Sequence, residues 1–159
     1  MSYDDDYGNP EPADPKKIQS EVLAYLYSRF GFDQKLFDNF GLYLGSKGKI
    51  YLGPKQLIKE PKIVTLGIMI ARADGGIKPT TNLFQIFGKQ ITKNYIKISK
   101  EQAIVYVKGE DMNLGDIQNA SDGYVLIKYG DIPLGCGFLK GHALKNMMPK
   151  AKRIGLKYI

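Results

Sequence analysis

The stretch that most narrows what this chain can fold into is Gly130-Asp131-Ile132-Pro133-Leu134-Gly135-Cys136-Gly137-Phe138-Leu139. It is apolar and strand-forming, and its glycines at 130, 135 and 137 suit tight reversal and close backbone approach. The tail behind it carries Lys140, Lys145, Lys150, Lys152, Arg153 and Lys157, and after Asp131 there is no acidic residue. A β scaffold beside cations with no internal neutraliser predicts a surface that meets phosphates.

Charge placement sharpens this expectation. The first fourteen residues hold Asp4, Asp5, Asp6, Glu11 and Asp14 and no base, so the remainder carries +12 against a net +7 for the chain. A basic body of this kind fits a polyanionic partner. The same excess of lysine also suits a merely solvated surface, as in proteins from hot environments. Cys136 is the single cysteine, which excludes an internal disulfide and a cysteine-based zinc site. No run of eighteen apolar residues occurs and the chain opens acidic, so the expectation is a cytoplasmic protein with no membrane partner.

Length permits one domain or two small ones. Residues 1–13 read as a disordered acidic arm. Asp14 and Pro15 then suit the start of a helix, Ile18, Val22, Tyr25, Leu26 and Phe30 form its stripe, and Gly31 suits its stop. Leu42–Leu44 and Lys49–Leu52 flank a glycine-containing turn and predict a hairpin. Residues 54–59 could form a short helix. The apolar run 62–71 fits a buried strand or helix by periodicity, and its β-branched content favours strand. Residues 72–76 read as a turn, and 82–92 read as mostly extended, with a helical piece as the alternative within it. From Tyr95 onward the texture is of short strands, 95–98, 103–107, 124–127 and 132–139, with a turn at 108–111. Such spacing predicts a small closed β structure. The boundary falls near 94, giving domains 14–94 and 95–159.

The residues Val107-Lys108-Gly109-Glu110-Asp111-Met112, Gly115, Asp122-Gly123-Tyr124-Val125 and 130–137 resemble a PUA domain, a small RNA-binding pseudobarrel. More narrowly, Asp131-Ile132-Pro133-Leu134-Gly135 followed by Gly137 resembles the Nip-seven family of ribosome-biogenesis proteins, in its archaeal type. Val64-Thr65-Leu66-Gly67, Lys78, Phe84 and Phe87 are similar to that family's first domain. The tail lacks the acid often found after the family's matching isoleucine-glycine, and the arm 1–13 lies outside the shared pattern. The resemblance implies an α+β chain: an N-terminal α/β domain with an antiparallel sheet, then a C-terminal PUA-like β pseudobarrel. It also implies a non-catalytic RNA-binding factor in pre-rRNA processing and large-subunit assembly. Ribosome-assembly or RNA-processing proteins would dock on the first domain. The alternative is an RNA-modifying enzyme or its targeting subunit, of pseudouridine synthase, transglycosylase or methyltransferase type.

The expected RNA-binding residues are Lys140, Lys145, Lys150, Lys152, Arg153, Lys157 and Tyr158, with single-stranded or irregular pre-rRNA as partner. Lysines offer point charges to phosphate, and Arg153 can fork around one. Among the aromatic residues, Tyr124 and Phe138 read as core, Tyr129 is a further stacking candidate, and Tyr158 beside Lys157 reads as the better platform. Arg72, Lys78, Lys89 and Lys93 could extend the basic surface or dock a protein. Gly135-Cys136-Gly137 lacks the lysine-serine ending of a P-loop, which argues against nucleotide binding. Cys136, considered as a nucleophile of the cytosine-methyltransferase kind, sits in an apolar strand and reads as a buried structural thiol. His142 has no metal-ligand partner by spacing. No nucleophile-base pair is visible, so the expectation is no enzyme and no cofactor.

Overall fold

The computed structural model describes residues 14–55 and 67–154. The expected arm 1–13, most of the Val64–Gly67 motif, and Lys157 and Tyr158 lie outside the described residues.

Helix α1, Pro15–Phe30, begins where its punctuation predicts: the Asp14 carboxylate accepts from the Lys16 N–H at 3.1 Å. It ends at Gly31, whose φ of +66° is left-handed and whose N–H donates to the Tyr27 carbonyl. Strands β1 (Phe40–Leu44), β2 (Lys49–Pro54), β3 (Ile68–Ala73) and β4 (Ile77–Pro79) form an antiparallel sheet in chain order. Strand β3 settles the described end of the 62–71 run as strand. Pro54 closes β2, while 56–59 lie outside the described residues.

Two further segments are helical: one takes up the helical piece allowed within 82–92, and the other departs from the strand expected at 103–107. Residues Thr81–Phe87 are helix α2, started by Thr80, whose hydroxyl accepts from the Leu83 N–H at 3.3 Å. Buried Leu83 and Phe84 lie on one side of it, so packing overrides the strand preference of its aromatic residues. Residues Lys100–Val107 are helix α3, closed at its start by reciprocal bonds between Ser99 and Gln102. That capping box offsets the β-branched Ile104, Val105 and Val107, and nothing else local selects helix there.

The second half is built on a five-stranded mixed sheet in the order β5-β7-β8-β9-β6. Its strands are β5 (Tyr95–Lys97), β6 (Met112–Asn113), β7 (Gly123–Tyr129), β8 (Ile132–Lys140) and β9 (Ala143–Asn146). Strand β5 runs parallel to β7, and the other pairs are antiparallel. The sheet curls into a half-barrel, so the chain is α+β with a PUA-like pseudobarrel at its C-terminal end.

Alternation along β7 feeds two cores. Val125 and Ile127 face inward with Ile96, Tyr106, Leu139 and Leu144. Leu126, between them, turns outward with Cys136 into the cluster of Val22, Leu26, Phe30, Ile70, Leu83 and Phe84. Residues 14–94 thus cover part of the barrel's outer wall, and burial across that wall stabilises both halves together.

Candidate RNA-binding surface

Where the first half stops covering that wall, the sheet's outer face opens to solvent. Register places Tyr124 of β7 opposite Phe138 of β8, and Phe138 opposite Lys145 of β9. The two rings meet edge to face, with centroids 5.0 Å apart and planes at 79°. Phe138 is 36% exposed, and Tyr124 is half-buried. Neither belongs wholly to the core, contrary to expectation. The signal was present: Phe138 and exposed Lys140 are two residues apart in a strand and so share a face.

Lys140 and Lys145 stand together beyond Phe138, around a hollow of about 370 Å³ that also includes Asp111. The Asp111 carboxylate is engaged in accepting from the Asn146 N–H at 2.8 Å. Asn146 is buried, and its amide donates to the carbonyls of Tyr106 at 2.7 Å and Glu110 at 3.1 Å. These bonds pin β9, and with it Lys145, to the end of α3.

The remaining described cations of the tail diverge. Lys150 and Lys152 lie on a 3₁₀ turn, Lys150–Lys152, and both are exposed. The Lys152 ammonium donates to the Gln85 side chain at 3.2 Å and points to the seam between the halves, beside Arg72 and Lys78. Arg153 turns the other way and lies over Gly109 at the end of α3, where Ile154 N–H donates to the Val107 carbonyl at 2.8 Å. The structure therefore gathers Lys140 with Lys145, and Lys152 with two cations from the first half. It does not gather the described tail cations as one patch. Lys89 is exposed, and Lys93 donates to the Ser28 carbonyl at 3.0 Å.

The chemistry of the other candidates is muted. Burial pushes the Cys136 thiol far up, so it holds its proton at neutral pH and is no nucleophile there. Burial likewise raises Tyr124. His142 Nδ1 lies 2.9 Å from the Gly115 carbonyl. Among the described residues no group of three or more His, Cys, Asp or Glu gathers to hold a metal, and no helix is long and apolar enough to cross a membrane.

Comparison with known proteins agrees with the PUA-like fold and changes its setting. Residues 93–154 match the family model described as the PUA domain of methyltransferase RsmF. Over 133 residues the chain is 29% identical to ribosomal RNA small subunit methyltransferase F of Psychromonas ingrahamii, covering 79% of this chain and 27% of that protein. The chain thus spans about a quarter of the length of the curated relative it matches. The expectation that the chain is non-catalytic and no enzyme is overturned by these two matches, one to a methyltransferase PUA domain and one to an rRNA methyltransferase. They also point away from the Nip-seven family towards proteins related to rRNA methyltransferases. What the sequence resemblance and the comparison share is the module itself: the C-terminal part of this chain is a PUA-like, RNA-binding type of domain.

Proposed function

We propose that this chain is the RNA-holding part of an rRNA-modifying methyltransferase, presenting single-stranded or irregular rRNA to a catalytic unit on the same or a partner polypeptide. The observation that carries this reading is the Tyr124–Phe138–Lys145 row on the open face of a PUA-like sheet. Phosphates meet Lys140 and Lys145, and an unpaired base rests on the Phe138 ring. Binding energy realised here, away from the reacting base, orients the substrate. The similarity to a small-subunit rRNA methyltransferase supports rRNA as the class of target.

The test is fluorescence anisotropy of the full chain with short single-stranded rRNA fragments across a salt series. Single-strand affinity varies with salt at a slope of about −0.7 per neutralised phosphate, so K140A/K145A reduces the slope by about 1.4. At 0.1 M salt that corresponds to a loss of about 25-fold. Phe138→Ala removes about 1–3 kcal/mol of stacking. Salt-independent binding, or affinity untouched by both variants, defeats the site. Nucleoside mass spectrometry of small-subunit rRNA from cells lacking the gene checks the methylation context, with loss of one methylated base as the expected result.

A further inference from the structure

The seam between the two halves holds a second hollow, of about 460 Å³, within the size range of ligand sites. Arg72, Lys78 and Lys152 stand around it, with Tyr124, Met69 and Met147 supplying apolar wall, and among the described residues no acidic one lines it. Arg72 of β3 and Lys78 of β4 are directly opposed in register. Like charges so placed repel, which a bound anion would relieve. Lys152 comes to the same hollow from the far end of the chain, held by Gln85 of α2. Thr81, in the hollow's wall, is 3% exposed and its hydroxyl has no hydrogen-bond partner among the described residues. Three cations share this hollow with no counter-charge among the described residues, in contrast with the Lys140–Lys145 hollow, which contains Asp111.

We infer that this seam hollow is a nucleotide subsite for single-stranded RNA, built jointly by both halves. One phosphodiester group sits among Arg72, Lys78 and Lys152, and its unstacked base lies against the Met69–Met147–Tyr124 wall. Arginine provides the planar fork that phosphate favours, and the two lysines provide point charges. Thioethers and a tyrosine edge suit a base without selecting its identity. Tyr124 belongs both to this wall and to the Phe138 row, so the strand runs from Lys145 across the aromatic pair into the seam. The first half is then part of the RNA site, beyond its role of covering the barrel wall. This inference rests on the RNA-holding reading above and extends it to a definite path.

The experiment uses the full chain, fluorescein-labelled oligouridine of eight nucleotides, and a salt series, with free uridine monophosphate as competitor. Three double variants are compared: R72A/K78A at the seam, K140A/K145A on the open face, and K16A/K17A on the exposed start of α1. The expected result for R72A/K78A, which removes the grip on one phosphate, is a loss of about 5-fold at 0.1 M salt and a slope smaller by about 0.7. Its melting temperature should be unchanged or higher, because an opposed cation pair has been removed. K16A/K17A should change affinity by less than threefold.

The seam site is overturned, with the RNA-holding reading intact, if R72A/K78A stays within twofold of wild type while K140A/K145A weakens binding. It is equally overturned if K16A/K17A weakens binding as much as R72A/K78A, which would mark a general charge effect. Competition by micromolar uridine monophosphate would make the hollow a mononucleotide site and reject the RNA path. Absence of any salt-dependent RNA binding by the wild-type chain removes both readings.

Discussion

Replacing half-buried Arg29 by alanine should uncouple the two halves. Its guanidinium, on the last turn of α1, donates from Nε to the Tyr124 carbonyl at 2.9 Å, from Nη1 to Ser121 Oγ at 2.8 Å and from Nη2 to the Ser121 carbonyl at 2.7 Å. Burial lowers its pKa, partly offset by Tyr25 and Asp122, so the group is partly desolvated yet stays charged. Asn94 ties the same junction from the other side, donating to the Arg29 carbonyl at 2.5 Å and accepting from the Ser121 N–H at 3.0 Å. Hydrogen bonds from a charged donor contribute about 1.5–3 kcal/mol when desolvated, and far less in water. Only the bond to Tyr124 is part-buried, so about 2 kcal/mol is assigned to it and about 0.5 to each of the other two. The sum is about 3 kcal/mol. For a chain of this size 1 kcal/mol shifts Tm by about 2–4 °C, which gives a drop of about 6–12 °C. Calorimetry reads it directly. Arg29→Lys keeps the charge but not the fork, and should recover less than half of the loss. A Tm within 2 °C of wild type for Arg29→Ala, or full rescue by lysine, would refute the reasoning that geometry at this clamp joins the halves.

Three further outcomes follow from residues in and around the barrel wall. Because burial raises the native Cys136 pKa, the native thiol stays protonated while the unfolded thiol ionises near pH 8.5. The unfolded state then binds fewer protons, so stability is intact below about pH 8.5 and falls above it by about 1.4 kcal/mol per unit. Urea midpoints between pH 7 and 10 should show that decline, and Cys136→Ala should flatten it. Gly135→Ala should cost about 2–3 kcal/mol, since the added methyl would sit 2.6 Å from the Tyr106 hydroxyl, which donates to the Cys136 carbonyl at 2.7 Å. Gly115→Ala, with nothing within 4 Å, should cost under 0.5 kcal/mol on a thermal melt, on the order of an ordinary surface change.

Several elements were legible from residues close together in the chain. Asp14-Pro15 and Gly31 bound α1 as expected, and the 42–52 hairpin and the 124–139 strand pair form in the expected places. Helix α2 was legible only as a helical piece within an extended reading, and α3 was hidden beneath β-branched residues. In both, a side-chain cap and one buried flank outweigh propensity. The aromatic row was partly legible, through the shared parity of Phe138 and Lys140, but its exposure depends on where the first half's cover ends.

By itself the sequence determined the module and its charge: glycine-spaced strands that resemble a PUA domain, and a cationic body behind an acidic start. Those properties need only neighbours in the chain, because alternation and turn residues act locally. Tertiary structure alone decided how the cations are grouped. Lys152 meets Arg72 and Lys78 across a seam joined by a shared core, while Arg153, one residue later, faces α3. Adjacent side chains on an irregular turn diverge, and only packing between distant segments determines which charges end up beside one another.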